Sequence, residues 1–343
     1  MTPEAAILAF TRRGLGLATR LSGLLAAPGS DMRVEVLRVT DLQAEVKPLF
    51  GDKDLLVFIG AVGIAVRAIA PYLRSKTSDP AVVVIDEAGR FAVPILSGHI
   101  GGANRFASRI AGLIGATAVI STASDVNGVF SFDAFAAERG YVVLNPEAIK
   151  PVTAALLDGR PVGLASELPI DGGLPDSVYL ADQGEIGVCI SLDAGRQPFR
   201  QTLRLLPRCY HVGIGSRRGV DPEGLSKFFY ETLADLSLPP VAVATLSSID
   251  LKANEPAIVA LAEQLRIPFI CYSADQLNSV ADRFQQSARV LAATQTGNVS
   301  EAAAYLSSGQ GEMVWPKTAR DGATIAVARE SWRISFEAID DRT

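Results

Sequence analysis

Short apolar runs of strand length alternate with segments of helical spacing along most of this chain, and that alternation restricts it to layered α/β architectures. "AAILAF" (5–10) runs into "TRRGLGLATRLSGLLA", where Leu15, Leu21, Leu24 and Leu25 share a helix face, and "DLLVFIG" (54–60) runs into "AVGIAVRAIAPYL" in the same way. Only the four residues "EAGR" separate "AVVVID" (81–86) from "FAVPIL" (91–96), so these two predict a hairpin inside an otherwise parallel sheet. "RFASRIAGLIG" then places Phe106, Ile110, Leu113 and Ile114 at helical spacing, with Gly115 positioned to stop the helix and the strand-like "TAVIST" after it.

Residues 123–206 read less clearly, with a helix in the second half of "ASDVNGVFSFDAFAAERG", a short strand "YVVLN" and a turn-rich "LPIDGGLPDSVYLADQG". A new α/β unit begins near 207. "CYHVGIGSRRGV" is a strand entering a Gly-rich turn, and "DPEGLSKFFYETLADL" is a helix with Asp221 as its N-cap. The strands "VAVATLSSID" and "PFICYSA" flank the helix "EPAIVALAEQLR", and the helix "VSEAAAYLSSG" and strand "TIAVARE" complete the unit. The expectation is an α/β chain: two α/β domains with mostly parallel sheets, 1–125 and 207–343, flanking a smaller middle domain over 126–206.

Composition narrows the function classes. A chain of 343 residues with 48% hydrophobic, 20% charged and 7% aromatic residues fits a globular protein with several cores. A net charge of -5 argues against nucleic acid as a partner. Cys189, Cys209 and Cys271 are too widely spread for a C-x-x-C pair or a metal cluster, which points to a reducing cytoplasm and no metal site. "AAILAF" is too short for a membrane span and is followed by its charges, so neither a membrane anchor nor a signal peptide is expected.

The chemistry-bearing residues gather at glycine-rich turns. "ILSGHIGGAN" (95–104) sets Ser97, His99 and Asn104 among Gly98, Gly101 and Gly102 where a strand becomes a helix. Such a turn can offer N–H groups to an anion and an imidazole that titrates near neutrality. The competing reading gives the glycines a packing role and His99 a backbone-capping one. "FIGAVGIAVRAIAP" carries Gly60, Gly63 and Arg67, with Arg74 and Lys76 following, cations that suit carboxylates or simply form a solvated face. Asp86 and Glu87 stand at a strand end where either can serve as a general base or merely shape the hairpin corner.

In the last unit, His211 leads a strand, Gly213 and Gly215 permit close approach, and Ser216, Arg217 and Arg218 follow. "SSIDLKANE" places Ser248, Asp250, Lys252 and Glu255 at a strand end, the edge where open α/β sheets bind ligands, although Lys252 and Glu255 equally suit a surface pair. Glu301 opens a helix, where the dipole alone favours an acid. The absence of G-x-G-x-x-G and of Gly-Lys-Ser/Thr removes the mechanical basis for a nucleotide-dependent enzyme.

Taken in order, "FIGAVGIAVRAIAPYLRSKTSDPAVVVIDEAGRFAVPILSGHIGGANRFASRIA", "AVISTASD", "VGIGSRRG", "SSIDLKANE", "VSEAAAYL" and "KTARDGATIAVA" resemble the cobalt-precorrin-5A hydrolase family, CbiG, strongly over 54–125 and 208–329. The resemblance implies an N-terminal domain, a variable middle domain and a C-terminal domain similar to the stand-alone CobE protein. It also implies opening of the δ-lactone of a cobalt corrinoid and release of C20 with its methyl as acetaldehyde, in cobalamin biosynthesis. The cobalt then arrives within the substrate and no cofactor is expected.

For that chemistry His99 suits the base, with Ser97 and Asp86 as further catalytic candidates and the N–H groups of Gly101 and Gly102 as oxyanion donors. Substrate contacts fall to Gly60, Gly63, Arg67, Lys76, Asn104, Gly213, Gly215, Ser216, Arg217, Ser248, Lys252, Glu255 and Glu301. Relatives commonly carry Cys at the position of Ser216 and before the glutamate of "GNVSEAAA", so a thiol role is not expected in this chain. The partner expected is a corrinoid small molecule, with a homodimer and contacts to other enzymes of the pathway left open. A non-catalytic corrinoid carrier is the alternative function.

Overall fold

The computed structural model describes residues 3–27, 29, 32–75 and 78–337. Three large sheets and one two-stranded sheet organise the described residues. The first contains β1 (Glu4–Ala9), β2 (Arg33–Arg38), β3 (Leu55–Ile59), β4 (Ala81–Ile85), β5 (Phe91–Leu96) and β6 (Thr117–Ala118), in the order β2-β1-β3-β4-β5-β6. Its central strands β3 and β4 are buried along their whole length, because helices cover both faces. The α1 (Arg12–Leu25) and α4 (Ala103–Ile114) helices pack Leu21, Leu25, Ala107 and Ile110 on one face. On the other, α2 (Leu42–Asp52) and α3 (Val62–Ile69) pack Leu49, Phe50 and Ile69.

The "EAGR" hairpin forms as expected: β4 and β5 are antiparallel, with Ile85 opposite Ala92, while the other pairings of this sheet are parallel. Gly115 ends α4 in the left-handed region at φ 74°. The last strand is shorter than "TAVIST" suggests, with two paired residues.

The region that reads less clearly holds a five-stranded sheet. After α5 (Ala123–Val126) and α6 (Phe132–Glu138) come β7 (Tyr141–Val143), α7 (Ile149–Leu157), β8 (Val162–Ser166), β9 (Ile170–Asp171), β10 (Val178–Leu180), β11 (Gly184–Ile190) and β12 (Phe199–Pro207). The sheet order is β10-β8-β11-β12-β7, with β7 antiparallel to β12 and the rest parallel. The Phe199 ring lies where side chains on Gly163 and Gly187 would project, so both strands carry a glycine in mid-strand.

The third unit runs through β13 (Tyr210–Ser216), α8 (Pro222–Asp235), β14 (Val243–Ile249), α9 (Pro256–Leu265), β15 (Phe269–Tyr272), α10 (Ala274–Asn278), α11 (Ala288–Thr294), α12 (Ser300–Ser307), β16 (Glu312–Arg320) and β17 (Ala323–Arg329). Its order is β15-β14-β13-β17-β16, parallel from β13 to β15 and antiparallel beyond. Asp221 caps α8 by accepting the Gly224 N–H at 2.8 Å. The chain then leaves this unit, and β18 (Ile334–Ser335) pairs with β9 of the middle unit in a separate two-stranded sheet, burying Ile334 in the middle core. Among the described residues no helix is long and apolar enough to cross a membrane.

Candidate active site

The turn between β5 and α4 is held shut by its own backbone. Gly102 N–H donates to the His99 carbonyl at 2.9 Å, Ala103 N–H to Ser97 at 3.1 Å and Asn104 N–H to Gly98 at 3.0 Å. The first donors of α4 are therefore occupied, which removes the Gly102 N–H from the expected oxyanion role. A Cβ on Gly101 would run into the Ser97 side chain, and Gly102 sits at φ 79°, so compactness accounts for both glycines. Ser97 itself adopts φ 56° and donates its hydroxyl to the Asp79 carbonyl at 3.0 Å. In this arrangement it braces the turn. Ile100, between His99 and Gly101, packs against the apolar core of the middle unit.

This anchoring leaves the His99 ring at the junction of two units. Its Nε2 lies 3.1 Å from Ser124 Oγ and 3.4 Å from Asp125 Oδ2, and its Nδ1 lies 3.1 Å from Ser131 Oγ. Ser131 caps α6, accepting Ala134 N–H at 3.3 Å, and donates to the buried Asp133 carboxylate at 2.5 Å. Asn104 is buried on the first turn of α4 and donates to Thr122 Oγ1 at 2.9 Å and to Asp125 Oδ2 at 3.0 Å. Its amide is thus committed to holding Asp125 rather than free for a ligand. Around these groups lies a pocket of about 340 Å³ lined by His99, Asn104, Arg105, Asp125 and Glu138 among others. That volume is at the small end for small-molecule sites, enough for one edge of a macrocycle rather than the whole disc.

Other residues singled out in the sequence lie elsewhere. Because β3 and β4 are parallel and β5 runs back, Gly60 and Asp86 stand at the opposite sheet edge from Ser97 and His99, roughly 15 Å of strand away. Asp86 accepts the Arg90 and Phe91 N–H groups at 2.6 and 2.8 Å and pairs with Arg90 at 3.2 Å. Burial raises its pKa, but these bonds outweigh it and hold the carboxyl below its ordinary value, so it fastens the hairpin. Gly63 and Arg67 lie on α3, which covers the opposite face of the sheet from α4. Lys76 lies outside the described residues.

In the third unit the expected ligand contacts are mostly structural ones. Gly213 admits α12, since a Cβ there would strike the Ser300 carbonyl, and one on Gly215 would meet Thr324 Oγ1. Ser248 is buried and donates to the Ile214 carbonyl at 2.6 Å. Glu301 accepts Asn298 Nδ2 at 2.6 Å and Lys317 N–H at 3.2 Å. Arg217 packs over Gly322, and Ser216 Oγ is buried without a hydrogen-bond partner among the described residues. Lys252 and Glu255 form a 2.8 Å pair with side chains 13% and 6% exposed, a buried brace rather than a surface pair, and Glu255 also accepts Gly219 N–H at 2.9 Å. None of these residues lines the His99 pocket.

The sequence reading passed over Arg105, Ser124, Asp125, Ser131 and Asp133. The signal was present in "STASD" and "FSFD", a serine one or two positions before an aspartate, but each also reads as an ordinary helix start.

Comparison with known proteins agrees with this three-part organisation. Residues 44–125 match the family model described as Cobalamin synthesis G N-terminal, 130–207 match Cobalamin biosynthesis central region, and 210–328 match Cobalamin synthesis G C-terminus. The chain is 33% identical over 346 residues to a protein of Salmonella typhimurium named cobalt-precorrin-5A hydrolase, covering 95% of this chain and 97% of that one. It is 30% identical over 298 residues to a Priestia megaterium protein of the same name, covering 82% and 79%. Over 119 residues the chain is 29% identical to Protein CobE of Sinorhizobium sp., covering 34% of this chain and 77% of that one. With a full-length relative at this level and all three family segments matched in order, the chain belongs to the CbiG family and acts in cobalamin biosynthesis.

Proposed function

We propose that the protein is a cobalt-precorrin-5A hydrolase that opens the substrate's δ-lactone and releases acetaldehyde, leaving cobalt-precorrin-5B. The observation that carries the reading is the His99 ring, held on both nitrogens inside a pocket and flanked by the Asp125 carboxylate. One water adds to the lactone carbonyl as His99 takes its proton, and collapse of the tetrahedral intermediate frees the ring A acetate and a hydroxyl on C20. A base then removes the C20 hydroxyl proton, the carbon–carbon bond to the macrocycle breaks, and its electron pair stays with the ring as acetaldehyde departs. Asp125 Oδ2 lies 3.4 Å from Nε2, where it can accept a hydrogen bond from the proton taken up in the first step, and Asn104 keeps Asp125 in place. Arg105, exposed at the pocket, supplies a cation for a peripheral carboxylate or the developing oxyanion.

Cobalt enters as part of the substrate, and the proposal assigns the protein no cofactor. His99→Asn is expected to fold normally and bind cobalt-precorrin-5A while releasing acetaldehyde ~100-fold more slowly or worse. Wild-type turnover in that variant would remove His99 from the chemistry.

A further inference from the structure

The contacts of Ser131 determine which nitrogen of His99 carries the proton. A hydroxyl has one proton to donate and two lone pairs to accept with. Ser131 Oγ accepts the Ala134 N–H at 3.3 Å and faces Asp133 Oδ1 at 2.5 Å, and a carboxylate only accepts, so the hydroxyl proton points to Asp133. The remaining lone pair faces His99 Nδ1 at 3.1 Å. That bond forms only if Nδ1 holds the proton. Nε2 is then the free lone pair, next to Ser124 Oγ, which can donate to it, and Asp125 Oδ2, which can accept from it once it is protonated.

We propose that Asp133, acting through Ser131, is a positioning residue that fixes His99 as the Nδ1–H tautomer and so makes Nε2 the nitrogen that takes the proton. The proposal rests on the hydrolase reading for its catalytic meaning, but the tautomer itself is a property of the protein without substrate. The charged groups that face the ring or share its pocket are Asp125 from α5, Asp133 through Ser131 and Glu138 from α6, and Arg105 from α4. Asp125 acts on Nε2, and Asp133 reaches the ring only by way of the Ser131 hydroxyl, so the two aspartates have separable effects. In Asp133→Asn the side-chain amide can donate to Ser131 Oγ, which turns the hydroxyl proton toward Nδ1 and moves the imidazole proton to Nε2.

The test is nitrogen NMR of the full chain labelled with 15N-histidine, above the imidazole titration range. The chain has two histidines, and the signal missing from His99→Asn assigns His99. Nδ1–H is expected in the wild type and in Ser131→Thr, which keeps the hydroxyl, and Nε2–H in Asp133→Asn. The same Asp133→Asn protein is expected to lose ~100-fold or more in acetaldehyde release, because a misplaced imidazole proton disables a base, with little change in corrinoid affinity. Nε2–H in the wild type, or an unchanged tautomer in Asp133→Asn, overturns the proposal. Full turnover in His99→Asn would instead overturn the hydrolase role of this histidine while leaving the tautomer result standing.

Discussion

Individual side chains in this protein carry two kinds of charge arrangement. At the pocket, Asp125 and Asp133 reach His99 directly or through one hydroxyl. In the third unit, Glu255 is enclosed with Lys252 and the Gly219 N–H. Burial pushes the Glu255 pKa up, but those partners outweigh it and hold it below its ordinary 4.5. A depressed carboxyl stabilises the fold above its unfolded pKa and loses that contribution as pH falls through the folded value. Glu255→Gln is therefore expected to cost about 3 kcal/mol at neutral pH, and the gap between the two urea midpoints should narrow only once the pH drops below 4.5. A gap independent of pH would show that packing rather than charge holds this corner. At this scale the sequence was legible for His99, whose neighbours "SG" and "IGG" mark an unusual turn, and illegible for Asp125 and Asp133, which lie 26 and 34 residues further on and meet His99 only through the fold.

Elements were read best where one periodicity ran unbroken. The hairpin β4–β5, the helix α4 with its Gly115 stop and the Asp221 cap of α8 all follow from local patterns. The middle sheet did not, because Phe199 fills the space over Gly163 and Gly187 and so puts glycines where a strand signal needs side chains. The edge at which each turn emerges was not legible either: the reversal at β5 sends His99 and Gly60 to opposite ends of one sheet. Glycines in the third unit follow the same packing logic. Gly213→Ala would press a methyl against the Ser300 carbonyl and the Ala304 N–H of α12, groups held in a helix that cannot swing aside. It should cost about 3 kcal/mol, the upper end for overpacking, as a fall in urea midpoint. An unchanged midpoint would mean that α12 can draw back from β13.

Across the whole molecule, the pocket is made by the docking of the first and middle units. Ile100 reaches into the middle core while α6 returns Ser131 to His99. The C-terminal segment reinforces that arrangement. Ile334 is fully buried in the middle core, Trp332 Nε1 donates to Tyr141 Oη at 2.8 Å, and the Phe336 ring stacks on Phe135 of α6 at 4.9 Å between centroids. Ile334→Ala is expected to lower stability by about 3 kcal/mol, read from the fluorescence of the two tryptophans, Trp315 and Trp332, during unfolding. No change would show that the tail only rests on the middle unit.

The most direct test of the whole account is anaerobic incubation of the wild-type protein and of His99→Asn with cobalt-precorrin-5A, following acetaldehyde and corrinoid mass together. The account predicts acetaldehyde in step with substrate loss for the wild type and ~100-fold less for the variant at similar affinity. Tight binding by the wild type without acetaldehyde would contradict it and make the protein a carrier of the corrinoid.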